Sequence, residues 1–311
     1  MAQLSFDGRV AIVTGAAGGV GRTHALMLAE RGAKVVVNDL GVTIGESTPA
    51  AHAVVQEITA AGGDATADIH DVLDGDAIVR TAIDRYGRLD IVINNAGVAA
   101  GGPISVPDAA PQWDRTIDTT VAGSIAVTRA AWPHLALSGG GRVVMTASQA
   151  MFGAPFSAAY STAKSAMYGL TKSLNGEGES VGIAVNCVMP AAWTRLTALL
   201  PAGPLTSMLA HDFPPEAVSS LAVWLCHRDC PMRGEVFSVG GGRAGRVFLA
   251  ETSGARVADH VPEAWVGTDA ALLDTTEFGI PRDMEHEVGW QAQHLGKEVP
   301  PEYREGGKLA W

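Results

Sequence analysis

The sequence predicts an α/β fold: a doubly wound, seven-stranded parallel sheet with helices on both faces, followed by an irregular C-terminal extension. Three observations predict it. Short apolar runs rich in Val and Ile recur, stretches with helical spacing separate them, and the first run ends in a glycine-rich turn that opens straight into a helix. The runs are Val10–Val13, Val35–Val37, a weaker one near Ala65–Asp68, Ile91–Ile93, Arg142–Met145, Ile183–Val188 and Val236–Val239. Each is too short for a buried helix and suits a strand covered on both faces. Helical spacing occupies about 20–31, 50–61, 75–86, 112–137, 158–178 and 215–227. This alternation implies right-handed crossovers within one sheet. Residues 41–49 read as a polar connection, and the Pro-rich, Leu-containing segment 201–215 reads as part of a substrate loop or lid spanning about 191–215. After Gly242 the pattern changes. Residues 250–311 are polar, with Pro262, Pro281, Pro300, Pro301 and three Trp, and read as an extension packed on the 1–249 domain or on a partner subunit.

At 311 residues the chain is long enough for a sizeable core, which excludes a disordered tail or a disulfide-stapled miniature. Charged residues are 18%, below the roughly 25% of an average soluble domain, and Gly, 37 in number, exceeds the usual ~7%. A formal charge of −11 argues against a nucleic-acid partner or an anionic membrane surface, and no segment approaches the ~20 apolar residues of a membrane span. Cys187, Cys226 and Cys230 make no disulfide framework, so a reducing cytoplasm is expected. No signal peptide is expected, since Asp7 and Arg9 come early, and residues 308–311 are no Ser-Lys-Leu peroxisomal address. Cys226, His227 and Cys230 could be read as metal ligands, but no second cluster completes a set of four and the nine His show no ligand pair; no metal is expected. Trp113, Trp132 and Trp224 fall in helical patterns and read as core anchors.

The chemistry begins at the end of the first strand. Thr14-Gly15-Ala16-Ala17-Gly18-Gly19-Val20-Gly21 lets the backbone approach a diphosphate, whose charge meets the free N–H groups of a helix start. Asp39, eighteen residues after Gly21 at the end of the second strand, can accept hydrogen bonds from both adenosine ribose hydroxyls and repels a 2′-phosphate. With no Lys or Arg in 14–21, NAD is favoured over NADP. Asn94-Asn95-Ala96-Gly97 follows the fourth strand, where small residues allow the chain to run beside a cofactor ribose; alone it is a turn signal. In Tyr160-Ser161-Thr162-Ala163-Lys164, Tyr160 and Lys164 are i, i+4 neighbours on one helical face. A phenol with reference pKa ~10 needs a nearby cation to trade protons near neutrality, and Lys164 supplies one. Ser148, at the end of the fifth strand, can hold a substrate oxygen against Tyr160.

Together these residues resemble the short-chain dehydrogenase/reductase family over residues 8–242, which implies a Rossmann sheet. In that family the Tyr is the acid/base, the Ser polarises the substrate oxygen, and the Lys serves both Tyr and ribose. The resemblance therefore implies catalytic roles for Tyr160, Ser148 and Lys164, with Tyr160 and Lys164 also touching cofactor. It further implies cofactor contacts at Gly15, Gly19, Val20 and Gly21, at Asp39 with Leu40, at Asp68 with Ile69 near the adenine, and at Asn95, Ala96 and Gly97. Pro190, Trp193 and Thr194 would border the nicotinamide, with Thr194 at its carboxamide and Trp193 as a wall of the pocket or a packing residue. One family residue is missing: Thr120 stands where an Asn usually anchors a water relay to the Lys. The Ser-to-Tyr interval is also a residue short, and Ala191 replaces the common Gly after Pro190.

A narrower similarity, to the (3R)-hydroxyacyl-CoA dehydrogenase domains of peroxisomal multifunctional enzymes of type 2, rests on Asn38–Gly41, Val127–Trp132, Met145–Ser148 and Trp224–Cys230. It implies a 3-hydroxyacyl-CoA as small-molecule substrate, with a hydroxysteroid or steroid side-chain acyl-CoA as the alternative. Arg195, Arg243 and Arg246 are candidate cations for coenzyme A, or plain surface arginines. Small residues in 112–137 and 158–178 suit a homodimer or homotetramer. The competing class is a regulatory dinucleotide-binding protein with a decayed site, marked by Thr120.

Overall fold

The computed structural model describes residues 3–41, 50–100, 102–106, 109–195, 197–199, 201–299 and 301. The polar connection expected at 41–49 lies, apart from Gly41, outside the described residues. The chain forms two compact units, Met1–Arg246 and Val247–Trp311.

In the first unit the strands are β1 (Val10–Thr14), β2 (Lys34–Asn38), β3 (Asp64–Asp68), β4 (Ile91–Asn94), β5 (Arg142–Thr146), β6 (Ala184–Pro190) and β7 (Val236–Gly240), with β8 (Arg243–Val247) closing the sheet. The helices are α1 (Gly19–Glu30), α2 (Ala50–Ala60), α3 (Gly75–Tyr86), α4 (Ala110–Ile117), α5 (Gly123–Leu137), α6 (Ala158–Gly178), α7 (Pro204–Asp212) and α8 (Pro215–Cys226). Strand order is β3-β2-β1-β4-β5-β6-β7-β8, and β1 through β7 pair in parallel. Chain direction across the sheet reverses between β1 and β4. That is the switch point at which a doubly wound sheet opens a crevice beyond its strand ends.

The central strands β1, β4, β5 and β6 are buried on both faces, which is why their sequences read as continuous apolar runs. Ala11, Val13, Val35, Val37, Ile91 and Ile93 pack with Leu28, Ile58 and Val223 into a core on the side of α1, α2 and α8. Val10, Ile12, Val36 and Val92, also buried, alternate to the other face.

The sheet has eight strands where seven were expected. β8 reads Arg-Ala-Gly-Arg-Val, without an apolar run, and follows β7 through Gly241 and Gly242, whose φ values are 56° and 78°. Two successive positive-φ residues make the tight turn of an antiparallel hairpin, and no parallel partner could be reached in so few residues. The helix expected over 112–137 is interrupted: Asp118–Ala122 forms a π-helical turn between α4 and α5. Within 201–215, α7 replaces the expected loop, begun by Pro204 in the first turn, where a missing N–H costs nothing.

The second unit holds the antiparallel pair β9 (Glu251–Thr252) and β10 (Phe278–Gly279), the single turn α9 (Asp269–Leu272) and the helix α10 (Met284–His294). The sequence shows no apolar helical stripe here, so α10 was not foreseen. Its signal is at the start. Asp283 accepts a hydrogen bond from the His286 N–H at 2.8 Å, and Glu285 and Glu287 fill the first turn.

Inside the first unit a polar cluster joins α1 to α8. The Ser219 hydroxyl lies 2.8 Å from His24 Nδ1 and 2.6 Å from the Thr23 hydroxyl, and His24 is fully buried. Burial lowers the His24 pKa to about 3, so the ring is neutral in the fold. An unfolded His titrates near 6.5, so between about pH 6.5 and 3 the unfolded chain binds the extra proton and stability falls as pH falls. The loss attributable to His24 should reach roughly 4–5 kcal/mol at its acid limit, with none above pH ~6.5. Urea melts of wild type and His24→Gln from pH 7 to 3.5 check this: the wild type should show the steeper decline, and parallel profiles would clear His24 of the effect.

Candidate active site

The glycine turn is shaped by contacts that leave no room for side chains. Gly15 has φ 62° and Gly19 φ 52°, the left-handed region in which a Cβ is strained. A Cβ on Gly15 would stand 2.8 Å from Ala96 Cα, and one on Gly21 would overlap the Gly15 carbonyl oxygen and the Asn95 amide. Thr14 and Asn95 clasp the turn to the next half of the sheet. The Thr14 hydroxyl accepts the backbone N–H of Asn95 at 3.1 Å and of Ala96 at 3.0 Å, while Asn95 Nδ2 donates to the carbonyls of Thr14 and Gly15 at 2.9 and 3.0 Å. Thus Asn95, expected beside a ribose, holds the turn in place.

Asp39 reaches back over this turn. Its Oδ2 accepts the Ala17 N–H at 3.0 Å and its Oδ1 the Gly41 N–H at 2.7 Å, each oxygen keeping a further lone pair. Arg22, the first cation of α1, is forked by Glu57 from Nε at 3.1 Å and Nη2 at 2.6 Å. Next along the sheet Asp68 is buried, and its four acceptor positions are all used: Asn38 Nδ2 and the His70 N–H on Oδ1, His70 Nδ1 and the Thr81 hydroxyl on Oδ2. Burial pushes this carboxyl up, and the bonds from Thr81, His70 and Asn38 more than reverse it, leaving its pKa lowered. Leu40 and Ile69 stay 59% and 49% exposed at the adjacent ends of β2 and β3, while Val20 is buried in the first turn of α1.

Beyond β5 the reacting groups meet. Ser148 Oγ accepts the Ala150 N–H at 3.2 Å, which fixes the hydroxyl at the start of a short 3-10 turn, and it also hydrogen-bonds Tyr160. Burial raises the Tyr160 hydroxyl above its ordinary pKa of 10, against the pull of the Ser148 bond. Lys164 Nζ lies 5.8 Å from the Tyr160 ring centroid and donates to the Thr146 carbonyl at 2.7 Å. Burial lowers its own pKa to about 8, while burial pushes the neighbouring Cys187 thiol up to about 12. The expectation that Lys164 biases Tyr160 toward phenolate is therefore modified. In the protein alone, desolvation dominates and Tyr160 is a neutral phenol.

Thr120 occupies the middle of the π-helical turn, and its buried Oγ1 has no hydrogen-bond partner among the described residues. It shares a notch with Lys164. A Cβ on Gly97 would sit 3.2 Å from Lys164 Nζ and 3.3 Å from Thr120 Oγ1, so the glycine keeps the two polar groups facing across open space. Wide helical turns of this kind recur at functional sites. Between Ser148 and Tyr160 the chain carries Phe152 and Phe156, 72% and 78% exposed, and Phe156 holds φ 64°, a conformation costing a bulky residue about 1–3 kcal/mol.

The segment after Pro190 folds back onto α1. Thr197 pins it, its hydroxyl donating to Ala192 O at 3.0 Å and accepting the Thr194 N–H at 2.7 Å. Trp193, Thr194 and Arg195 line a cleft with Gly19, Arg22, Thr23 and Glu216. Of the other candidate cations, Arg246 forks Glu235 at 2.7 and 3.0 Å and Arg243 lies along its own strand over Gly245. Residues 196 and 200 of the expected substrate loop lie outside the described residues.

Thr14, Asn38, Ala17 and Thr197 were not foreseen. Thr14 directly precedes the first glycine, which is a readable signal. The others act through backbone geometry or a partner distant in sequence.

The cradle therefore fits a dinucleotide: glycines that no Cβ could replace, a carboxylate folded over them, and uncovered apolar side chains beyond. A family model described as short chain dehydrogenase matches residues 9–200. The chain is 39% identical over 303 residues to the mouse (Mus musculus) peroxisomal multifunctional enzyme type 2, covering 94% of this chain and 40% of that protein. It thus spans less than half the length of that relative. A crystal structure of a short chain dehydrogenase from Mycobacterium avium superposes with TM-score 0.74 at 36% identity, covering 86% of this chain and 95% of that one. A 7α-hydroxysteroid dehydrogenase complexed with NADH and 7-oxo glycochenodeoxycholic acid gives TM-score 0.69 at 28% identity, covering 78% and 98%.

Proposed function

The chain belongs to the short-chain dehydrogenase family and is an oxidoreductase acting on CH–OH groups, and from that premise we propose that it moves hydride between NAD and a secondary alcohol/ketone pair, with a 3-hydroxyacyl-CoA as substrate. The observation that carries the reading is the Tyr160 hydroxyl hydrogen-bonded to Ser148, with the Lys164 ammonium 5.8 Å from its ring. The bound nicotinamide supplies the hydride acceptor. Ser148 holds the substrate oxygen, and Tyr160 takes its proton in oxidation or returns it in reduction. Because burial keeps Tyr160 protonated, oxidation requires that its proton leave first. The notch between Lys164 and Thr120 marks the side on which it can leave, since a water there would meet two polar partners.

Asp39 and the glycine turn would hold the adenosine ribose and diphosphate, with Leu40 and Ile69 against the adenine and Thr194 near the carboxamide. Asp68 would act there by fixing the ends of β2 and β3, its acceptor positions being spent within the protein. Asp39 and the Glu57-bound Arg22 both support NAD over NADP, and the structural neighbour complexed with NADH points the same way. Exposed Phe152 and Phe156 support an apolar substrate. The mouse multifunctional enzyme favours an acyl-CoA and the 7α-hydroxysteroid dehydrogenase a steroid, which stands as the second reading. Pairing through α5 and α6 into a homodimer or homotetramer, and a reducing cytoplasm for the three buried thiols, complete the proposal.

Reduced-cofactor formation with matched panels of 3-hydroxyacyl-CoA esters and hydroxysteroids is the test. Turnover confined to the thioesters is the expected result, and turnover confined to steroids would replace the substrate class. A second measurement concerns Asp39→Ala. Removing the carboxylate should lower the NAD/NADP ratio of kcat/KM by about 10- to 100-fold, the worth of one or two charge-assisted hydrogen bonds plus a lost repulsion. An unaltered ratio would move the selectivity to other residues.

A further inference from the structure

The cleft beside α1 contains a cation that no group among the described residues answers. Arg195 is exposed, yet its guanidinium lies over the glycine turn: a Cβ on Gly18 would stand 2.5 Å from Nη2, 3.3 Å from Cζ and 3.5 Å from Nε. The preceding Thr194 is as close, its Cγ2 being 3.3 Å from a Cβ on Gly19. Among the described residues Arg195 makes no hydrogen bond or ion pair. Arg22 in the same cleft is held by Glu57, and Glu216, which also lines it, forms no ion pair with Arg195 among the described residues. A guanidinium kept against Gly18, with no carboxylate paired to it among the described residues, is a charge awaiting an anion.

We propose that Arg195 supplies a cation for the diphosphate bridge of the dinucleotide. The inference rests on the nucleotide-binding reading above. The free N–H groups of α1 present only about half a positive charge, while a diphosphate bridge carries two negative ones. An acidic chain of net −11 adds repulsion rather than relief. A planar guanidinium stays charged at any working pH and presents paired N–H donors to phosphate oxygens. Glycine at 18 leaves room for Nη2, which stands where a side chain there would begin. This assigns Arg195, a candidate for the coenzyme A phosphates or a plain surface arginine by sequence, to the nucleotide.

Calorimetric titration with ADP-ribose, which has the bridge but no nicotinamide, tests the assignment without turnover. Arg195→Ala should weaken ADP-ribose at least tenfold and flatten the dependence of log Kd on log salt, while Arg195→Lys, which keeps the charge and loses the fork, should fall between. Melting temperatures should stay close to wild type, since the side chain is exposed and has no partner among the described residues. A parallel titration with coenzyme A, run with ADP-ribose saturating because coenzyme A carries a diphosphate of its own, should give the same Kd for all three proteins. ADP-ribose bound equally well by wild type and Arg195→Ala would overturn the inference and leave the nucleotide reading intact; if coenzyme A alone weakened, Arg195 would belong to the substrate. Failure of the wild type to bind ADP-ribose would remove both.

Discussion

Tyr160→Phe is expected to fold and to bind ADP-ribose within twofold of wild type, and to turn over about 10²–10⁴ times more slowly. The substitution deletes one oxygen and keeps the ring, so the packing of α6 against β6 is untouched. It removes the one hydroxyl that the Ser148 bond aims at the substrate position. Ser148 retains the Ala150 N–H, so its orientation survives the loss. Stability should change little, because the hydroxyl already stands where burial disfavours its charged form. Single-turnover reduction of cofactor, with circular dichroism to confirm the fold, measures the effect. Activity within tenfold of wild type would take Tyr160 out of the proton transfer and leave Ser148 and Lys164 without a common task.

Gly21→Ala should be the most damaging single methyl in the first unit. Its Cβ would run into the Gly15 carbonyl oxygen, which already accepts Asn95 Nδ2 at 3.0 Å, and into that same amide. Neither atom is the free end of a flexible side chain. The Gly15 backbone is fixed at φ 62°, and Asn95 is tied to Thr14 as well. Overpacking of this kind costs about 3 kcal/mol or more, enough to open the clasp between β1 and β4. The expected outcome is a melting temperature lowered by several degrees and no ADP-ribose binding at concentrations that saturate the wild type. Gly176→Ala is the control. Nothing lies within 4 Å of a Cβ there, and a helical Gly-to-Ala change should leave binding intact and stability equal or slightly higher. If both variants bound equally, the steric account of the turn would be wrong.

The inner strands were legible because burial on both faces leaves a continuous apolar run, while β3, the Asp-Ala-Thr-Ala-Asp edge strand, gave only a weak signal because it is partly exposed. β8 was not legible, since an edge strand of Arg-Ala-Gly-Arg-Val carries no burial signal, although the glycines before it announce a hairpin. Ser148, Tyr160, Lys164 and Asp39 could be named from their spacing together with the family resemblance. What they touch could not. That Asp68 is saturated by Asn38, His70 and Thr81, that Asn95 binds the turn it follows, and that Arg195 lies on Gly18 are contacts between segments far apart in the chain. Helical spacing places an ammonium near Tyr160, but the burial that raises the phenol's pKa cannot be read from spacing.

The wide turn at Asp118–Ala122 acts as a phase shifter. Before it Thr116 is buried, within it Thr120 is buried, and beyond it Val127, Ala131 and Leu135 are fully buried. An unbroken α-helix advances 100° per residue, so excising one residue here would swing everything beyond it by about that angle relative to everything before. Either the aliphatic seam or the hydroxyl beside Gly97 would then lose its place. The surplus residue thus lets one continuous rod satisfy two mismatched azimuths, and single-residue deletions should be tolerated less at this point than at the exposed end near Leu137.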